Sequence, residues 1–177
     1  MKKITIALTG GVAIYKTLSL IRMLKKANYE VRCAMTEAAT NLINPQLVST
    51  LSENFVRTKI FDDTSSKMEH LDLSRWADLV VVAPTTANSI GIMANGIADD
   101  IVSTMLVASN KQIMIAPAMN VEMWNNKAVQ RNMEQLKKDG IIIIEPTSGQ
   151  LACGVEAKGR MEEPENIFKE IEKFFKN

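Results

Sequence analysis

Short apolar runs at residues 4–8, 79–83, 113–115 and 141–144, with a further strand-like stretch at 31–35, alternate along this chain with stretches of helical periodicity. Each run is cut off within a few residues, by Gly10-Gly11, by Thr36, or by Pro84, Pro117 and Pro146. A run that is apolar at every position, and not at every second one, is a strand buried on both faces. Between the first two runs, Ile14, Leu18, Ile21 and Leu24 recur at helical spacing. Asn44 before Pro45 is a helix start, and Gly96 and Gly140 stand where helices end. From Pro164 onward, Ile167, Phe168, Ile171, Phe174 and Phe175 form the apolar stripe of a closing amphipathic helix. Strands alternating with crossover helices predict an α/β fold, a doubly wound, Rossmann-like parallel sheet with helices on both faces. No linker, repeat or composition shift divides the chain, so residues 1–177 are expected to form one domain.

Composition narrows the function. Apolar residues make up 46% and charged residues 23%, with 21 basic against 20 acidic side chains and a formal charge of +1. That balance offers no electrostatic footprint for nucleic acid or an anionic membrane. No run approaches the length of a membrane span, and Met1-Lys2-Lys3-Ile4 leads straight into a strand without a cleavage region. The two cysteines do not amount to a disulfide framework, and a cytoplasmic location is expected. Cys33 lies inside a strand pattern and reads as a small core residue.

In doubly wound sheets, ligands bind beyond the C-terminal ends of the strands. The unusual segments of this sequence all fall there. Thr9-Gly10-Gly11-Val12-Ala13 joins the first strand to a helix, whose first amides suit a phosphate. It lacks the third glycine of a dinucleotide fingerprint, which disfavours a plain NAD-binding module, although Glu37 stands where a ribose would be held. Pro84-Thr85-Thr86-Ala87-Asn88-Ser89 concentrates hydroxyls and an amide at another strand-to-helix junction, more than one helix cap requires. Asp99-Asp100 and Ser103-Thr104 read first as capping. Asn120, directly after a strand, either caps the next helix or donates to a substrate carboxylate. His70 is the only histidine; it has the intrinsic range of a general base and cannot build a dedicated zinc site alone, so no metal is expected. Arg75 is either a surface ion-pair partner or an anion contact. Cys153 sits in the glycine-rich stretch Gly149 to Met161, where a cysteine has little to pack against.

The ordered set of these blocks resembles the phosphopantothenoylcysteine decarboxylases, within the flavin-containing cysteine decarboxylases. The blocks are Gly10-Gly11-Val12-Ala13 with Tyr15-Lys16, His70-Leu71 with Leu73 and Trp76-Ala77-Asp78, Ala83 to Asn88, Pro117-Ala118-Met119-Asn120, and Ala152-Cys153-Gly154 through Gly159-Arg160-Met161. The resemblance implies a homotrimer, or a multiple of trimers, with FMN near a subunit interface. It implies a catalytic role for His70, carboxylate binding by Asn120, and a final reductive step that needs Cys153. It places Gly10, Gly11, Val12, Thr36, Pro84, Thr85, Thr86, Ala87, Asn88, Ser103 and Thr104 at the FMN. Arg75, Met123, Lys158 and Arg160 join Asn120 as substrate contacts, with Lys158 and Arg160 as phosphate donors on composition grounds.

The implied reaction is decarboxylation of 4'-phosphopantothenoylcysteine to 4'-phosphopantetheine through thioaldehyde and ene-thiol intermediates, within coenzyme A biosynthesis. A peptidyl-cysteine decarboxylase or a flavin prenyltransferase is the competing reading. Val155 and Ala157 depart from the family pattern, which carries an acidic residue and a glycine there. Many bacterial relatives continue into a synthetase, and that activity is expected on a separate polypeptide.

Overall fold

The computed structural model describes residues 1–61, 69–150 and 156–176. The chain begins with β1 (Lys3–Leu8), α1 (Ile14–Lys26) and β2 (Glu30–Met35), followed by α2 (Glu37–Thr40), α3 (Pro45–Ser52) and the short β3 (Val56–Arg57). Next come α4 (Glu69–Trp76), β4 (Leu79–Thr85), α5 (Ala87–Ala94), α6 (Ile101–Val107) and β5 (Gln112–Pro117). Then follow α7 (Val121–Asn125), α8 (Lys127–Lys138), β6 (Ile142–Ile143), β7 (Thr147–Gln150), β8 (Glu156–Arg160) and α9 (Pro164–Lys176).

Six strands form a parallel sheet in the order β3-β2-β1-β4-β5-β6. The order reverses between β1 and β4, and there the connections leave toward opposite faces. Alternation along β1 shows why its sequence reads as apolar throughout. Ile4, Ile6 and Leu8 pack with Ile21 and Leu24 of α1 and with Ile167 and Ile171 of α9. Ala7, Val80 and Val82 lie in the second cluster with Leu73 of α4, Ile90 of α5, Met105 of α6 and Leu136 of α8. Both faces are therefore covered, as the fold class requires, and each fully buried aliphatic side chain contributes about 1.5–3 kcal/mol.

Local signals act where the sequence puts them. The Asn44 Oδ1 accepts from Gln46 N at 2.9 Å and starts α3. Gly96 and Gly140 take positive φ values of 64° and 80° just past α5 and α8. Cys33 is fully buried, and burial pushes its thiol up to about 12 against the opposing effect of a hydrogen bond with Ser52. It stays a neutral core residue at physiological pH.

Two features differ from the sequence reading. The run at 141–144 contributes only Ile142–Ile143 to the sheet, because it is an edge strand with β5 as its one partner. The stretch around Cys153 is flanked by the arms of an antiparallel hairpin, β7–β8, separate from the main sheet. Neither arm alternates apolar and polar residues, so periodicity gives no sign of it.

Candidate active site

The C-terminal ends of β1 and β4 are tied together by one side chain. The Thr9 hydroxyl, almost fully buried, donates to Pro84 O at 2.8 Å and accepts from Thr86 N at 3.3 Å. The two loops thus leave the sheet at its switch point with a fixed separation. Replacing Thr9 by Val keeps the shape and removes both bonds. A loss of about 2 kcal/mol in stability is expected, measured as a lower denaturation midpoint at unchanged slope.

Above this tie lies an open cavity of about 1150 Å³. One wall is the Gly10–Ala13 turn. Gly10 and Gly11 serve packing here: a Cβ on Gly10 would strike Ala38, and one on Gly11 would press on the Pro84 ring. The helix that follows is distinctive. α1 follows Ala13, which provides no side-chain cap, and it has no acidic residue in its first turn. By contrast, Thr36, Asn44, Thr86, Asp100, Asn120 and Asn126 each cap the helix they precede. The positive dipole end of α1 therefore borders the cavity without a side-chain cap, while Ile14 N and Lys16 N donate within the turn to Gly11 O at 2.9 Å and Ala13 O at 3.0 Å.

The opposite walls combine hydroxyls with apolar side chains. Thr86 Oγ1 accepts from Ser89 N at 3.2 Å and lies 3.0 Å from Ser89 Oγ, and exposed Asn88 sits beside them. Ser103 is committed to the start of α6: its backbone N donates to Asp100 Oδ1 at 2.7 Å, and its hydroxyl accepts from Asp100 N at 2.9 Å. Val12, Ile92, Met93, Met119 and Met123 supply apolar lining. Val12, Tyr15 and Met123 are exposed at 67%, 59% and 44% on the rim of this chain.

Asn120 lies in the cavity wall and caps the helix that follows it. Its Oδ1 accepts from Met123 N at 2.8 Å and caps α7, which leaves the Nδ2 donor without a partner among the described residues. The hairpin fixes this turn from the other side. Met119 N donates to Gly159 O at 2.9 Å, and a Cβ on Gly159 would collide with the Met119 carbonyl.

Among the predicted residues, Gly10, Gly11, Val12, Thr36, Thr86, Ala87, Asn88, Ser103, Asn120, Met123 and Arg160 meet in the cavity wall. Pro84 and Thr85 lie beneath it, fully buried, and the Thr85 hydroxyl donates to Val82 O at 2.7 Å. Thr104 does not reach the described lining; its Oγ1 is buried without a hydrogen-bond partner among the described residues. Lys158 pairs with Glu145 at 2.9 Å and lies over Trp124, outside the described lining. Arg75 is exposed in the last turn of α4 and also lies outside it. His70 is the second residue of α4, with its side chain outside the described residues, as is Cys153 entirely.

Sequence reasoning quoted Lys16 and gave it no role. Lys16 is 5% exposed, lines the cavity, and donates to Met161 O and Glu163 Oε1, each at 2.9 Å. Its partners lie more than 140 residues away, with separations of 145 and 147. No local pattern could have announced them.

The donor set fits a flavin mononucleotide. The positive end of α1, uncapped by any side chain, suits a phosphate, the Thr86–Ser89 wall offers polar groups, and the methionine-lined side offers a surface for a flat ring. Comparison with known proteins agrees. The Coenzyme A biosynthesis bifunctional protein CoaBC of Bacillus subtilis (strain 168) is 46% identical over 175 residues, covering 98% of this chain and 43% of that protein. The chain thus spans less than half the length of that relative. A Cys-to-Ser variant of PPC decarboxylase complexed with pantothenoylaminoethenethiol superposes with a TM-score of 0.91 at 28% identity, covering 99% of both chains. The FMN binding protein AtHal3 superposes with a TM-score of 0.87 at 30% identity, covering 99% of this chain and 97% of that one. The family model described as Flavoprotein matches residues 1–176, and the chain belongs to that family.

Proposed function

We propose that this protein is an FMN-dependent decarboxylase that converts 4'-phosphopantothenoylcysteine to 4'-phosphopantetheine in coenzyme A biosynthesis. The observation that carries the reading is one cavity wall that joins an uncapped helix start to the unpaired amide donor of Asn120. The likeness to CoaBC and to PPC decarboxylase supports this reaction and substrate class. When bound, FMN supplies reversible two-electron chemistry at the substrate thiol, so that no external electron carrier is needed.

The chain's own residues bind, orient and move protons. Gly10, Gly11, Val12, Thr36, Thr86, Ala87, Asn88 and Ser103 hold the cofactor, with Pro84, Thr85 and Thr104 shaping the floor. Asn120 donates from Nδ2 to the substrate carboxylate and holds the bond to be broken in line. His70 handles the proton during loss of CO2, and Cys153 delivers a proton to the ene-thiol carbon in the final half. Met123 and Arg75 contact the substrate, while Lys158 and Arg160 provide the cations for its phosphate. The exposed apolar rim at Val12, Tyr15 and Met123 supports a homotrimer with the cofactor near a subunit interface. Residues 1–177 act as one domain. Among the described residues no helix is long and apolar enough to cross a membrane, and we assign the protein to the cytoplasm.

The test is mass spectrometry of the product formed by flavin-loaded protein from 4'-phosphopantothenoylcysteine. Loss of CO2 alone, giving saturated phosphopantetheine, is the expected result. Release of an ene-thiol two mass units lighter would favour the peptidyl-cysteine decarboxylase reading, in which reduction does not follow. Unchanged substrate, with flavin bound, would remove the substrate assignment.

A further inference from the structure

The carboxylate of Glu163 holds two cations with one oxygen. Its Oε1 lies 2.9 Å from Lys16 Nζ and 2.9 Å from Arg160 Nη2. The two cations differ in kind. Lys16 is 5% exposed and donates a second bond to Met161 O, so it is committed to this place. The Arg160 side chain is 40% exposed, and the guanidinium lies along Gly149, where an added Cβ would come within 3.3 Å of Nη1. Of its five donors only the contact with Glu163 is engaged among the described residues. The backbone of Glu163 is anchored at the start of α9, where its carbonyl accepts from Asn166 N and Ile167 N. Both cations line the cavity. The cluster carries two positive charges against one negative, which leaves room for one anionic group.

We propose that Glu163 holds Arg160 in reserve, and that Arg160 passes to the phosphomonoester of a ligand when that ligand enters the cavity. Lys16 makes the exchange possible. Once Arg160 leaves, Glu163 stays neutralised by a buried lysine and does not face the phosphate as an unpaired carboxylate. A phosphate dianion with three acceptor oxygens competes well for a guanidinium that a single carboxylate oxygen holds at a half-exposed site. The proposal rests on the reading of this cavity as the flavin and substrate site. It goes beyond that reading in naming Glu163 as the residue that tunes phosphate affinity. The phosphate belongs to FMN or to the substrate, and the experiment separates the two.

Dissociation constants of FMN and riboflavin, by flavin fluorescence, and of phosphorylated and unphosphorylated pantothenoylcysteine, by calorimetry, are measured for the parent protein, Glu163→Gln and Arg160→Gln. Thermal melts confirm that each variant folds. In Glu163→Gln the phosphorylated member of a pair binds about fivefold more tightly at low salt, while its unphosphorylated partner is unchanged. The gain fades in molar salt. In Arg160→Gln the phosphorylated member loses its advantage over its partner. A response in the flavin pair alone assigns the contact to the cofactor phosphate, and one in the substrate pair alone assigns it to the substrate. A merely structural Glu163 would weaken both members equally; that result, or no change in either pair, overturns the proposal. If affinities shift as expected but no CO2 is released, the decarboxylase reading falls and this one stands. If CO2 is released and neither pair responds, the reverse holds.

Discussion

Asn120→Asp leaves the fold intact and removes turnover. Aspartate caps a helix as well as asparagine, and its charge suits the N-terminal end of α7, so the bond from Met123 N is kept and the melting temperature does not fall. What changes is the other half of the side chain. The Nδ2 donor, unpaired among the described residues, becomes a second carboxylate oxygen facing the substrate's own carboxylate. Two such charges about 4 Å apart at a partly screened site cost about 4 kcal/mol, which corresponds to a drop in kcat/KM on the order of a thousandfold. Steady-state CO2 release and a thermal melt on the same sample check both halves. Unchanged turnover would take carboxylate binding away from Asn120, and a large fall in melting temperature would show that the variant tests the cap instead.

Gly159→Val strikes the same turn from behind. Gly159 has φ of 140°, a region that side-chain-bearing residues avoid, and it lies where a Cβ would collide with the Met119 carbonyl. The obstacle is backbone and cannot rotate away. Either β8 leaves the turn, breaking the Met119 N bond to Gly159 O, or the Met119–Asn120 peptide moves. Loss of about 3 kcal/mol in stability is expected from strain and the broken bond together. Displacement of Asn120 by as little as an ångström lowers turnover on the order of a hundredfold even in the molecules that remain folded. Denaturant titration reads the first effect, and single-turnover CO2 release under strongly folding conditions reads the second. A variant with parental turnover would mean that the hairpin does not position Asn120.

The sheet was legible because burial on both faces leaves an unbroken apolar run, as at 79–83, and because Gly96 and Gly140 mark helix ends through a conformation other residues avoid. The Thr86, Asn88 and Asn120 positions were legible for the same reason: strand ends announce where a site must lie. What stayed hidden depends on contacts between distant segments. The pairing of β7 with β8 leaves no apolar rhythm, the commitment of Thr85 to Val82 O cannot be told from a ligand contact by residue type, and the Lys16–Glu163 pair joins opposite ends of the chain. The glycines at 10 and 11 were found for the right place and a different cause, since Ala38 and Pro84 already occupy the space their side chains would need.

Lys16 donates to Met161 O across 145 residues, and this separation orders events during synthesis. The α1 end of the cavity is made early, yet its buried ammonium has no partner until residues 161–163 have left the ribosome. The cavity wall at Lys16 is therefore complete only once the segment 161–163 has docked against α1.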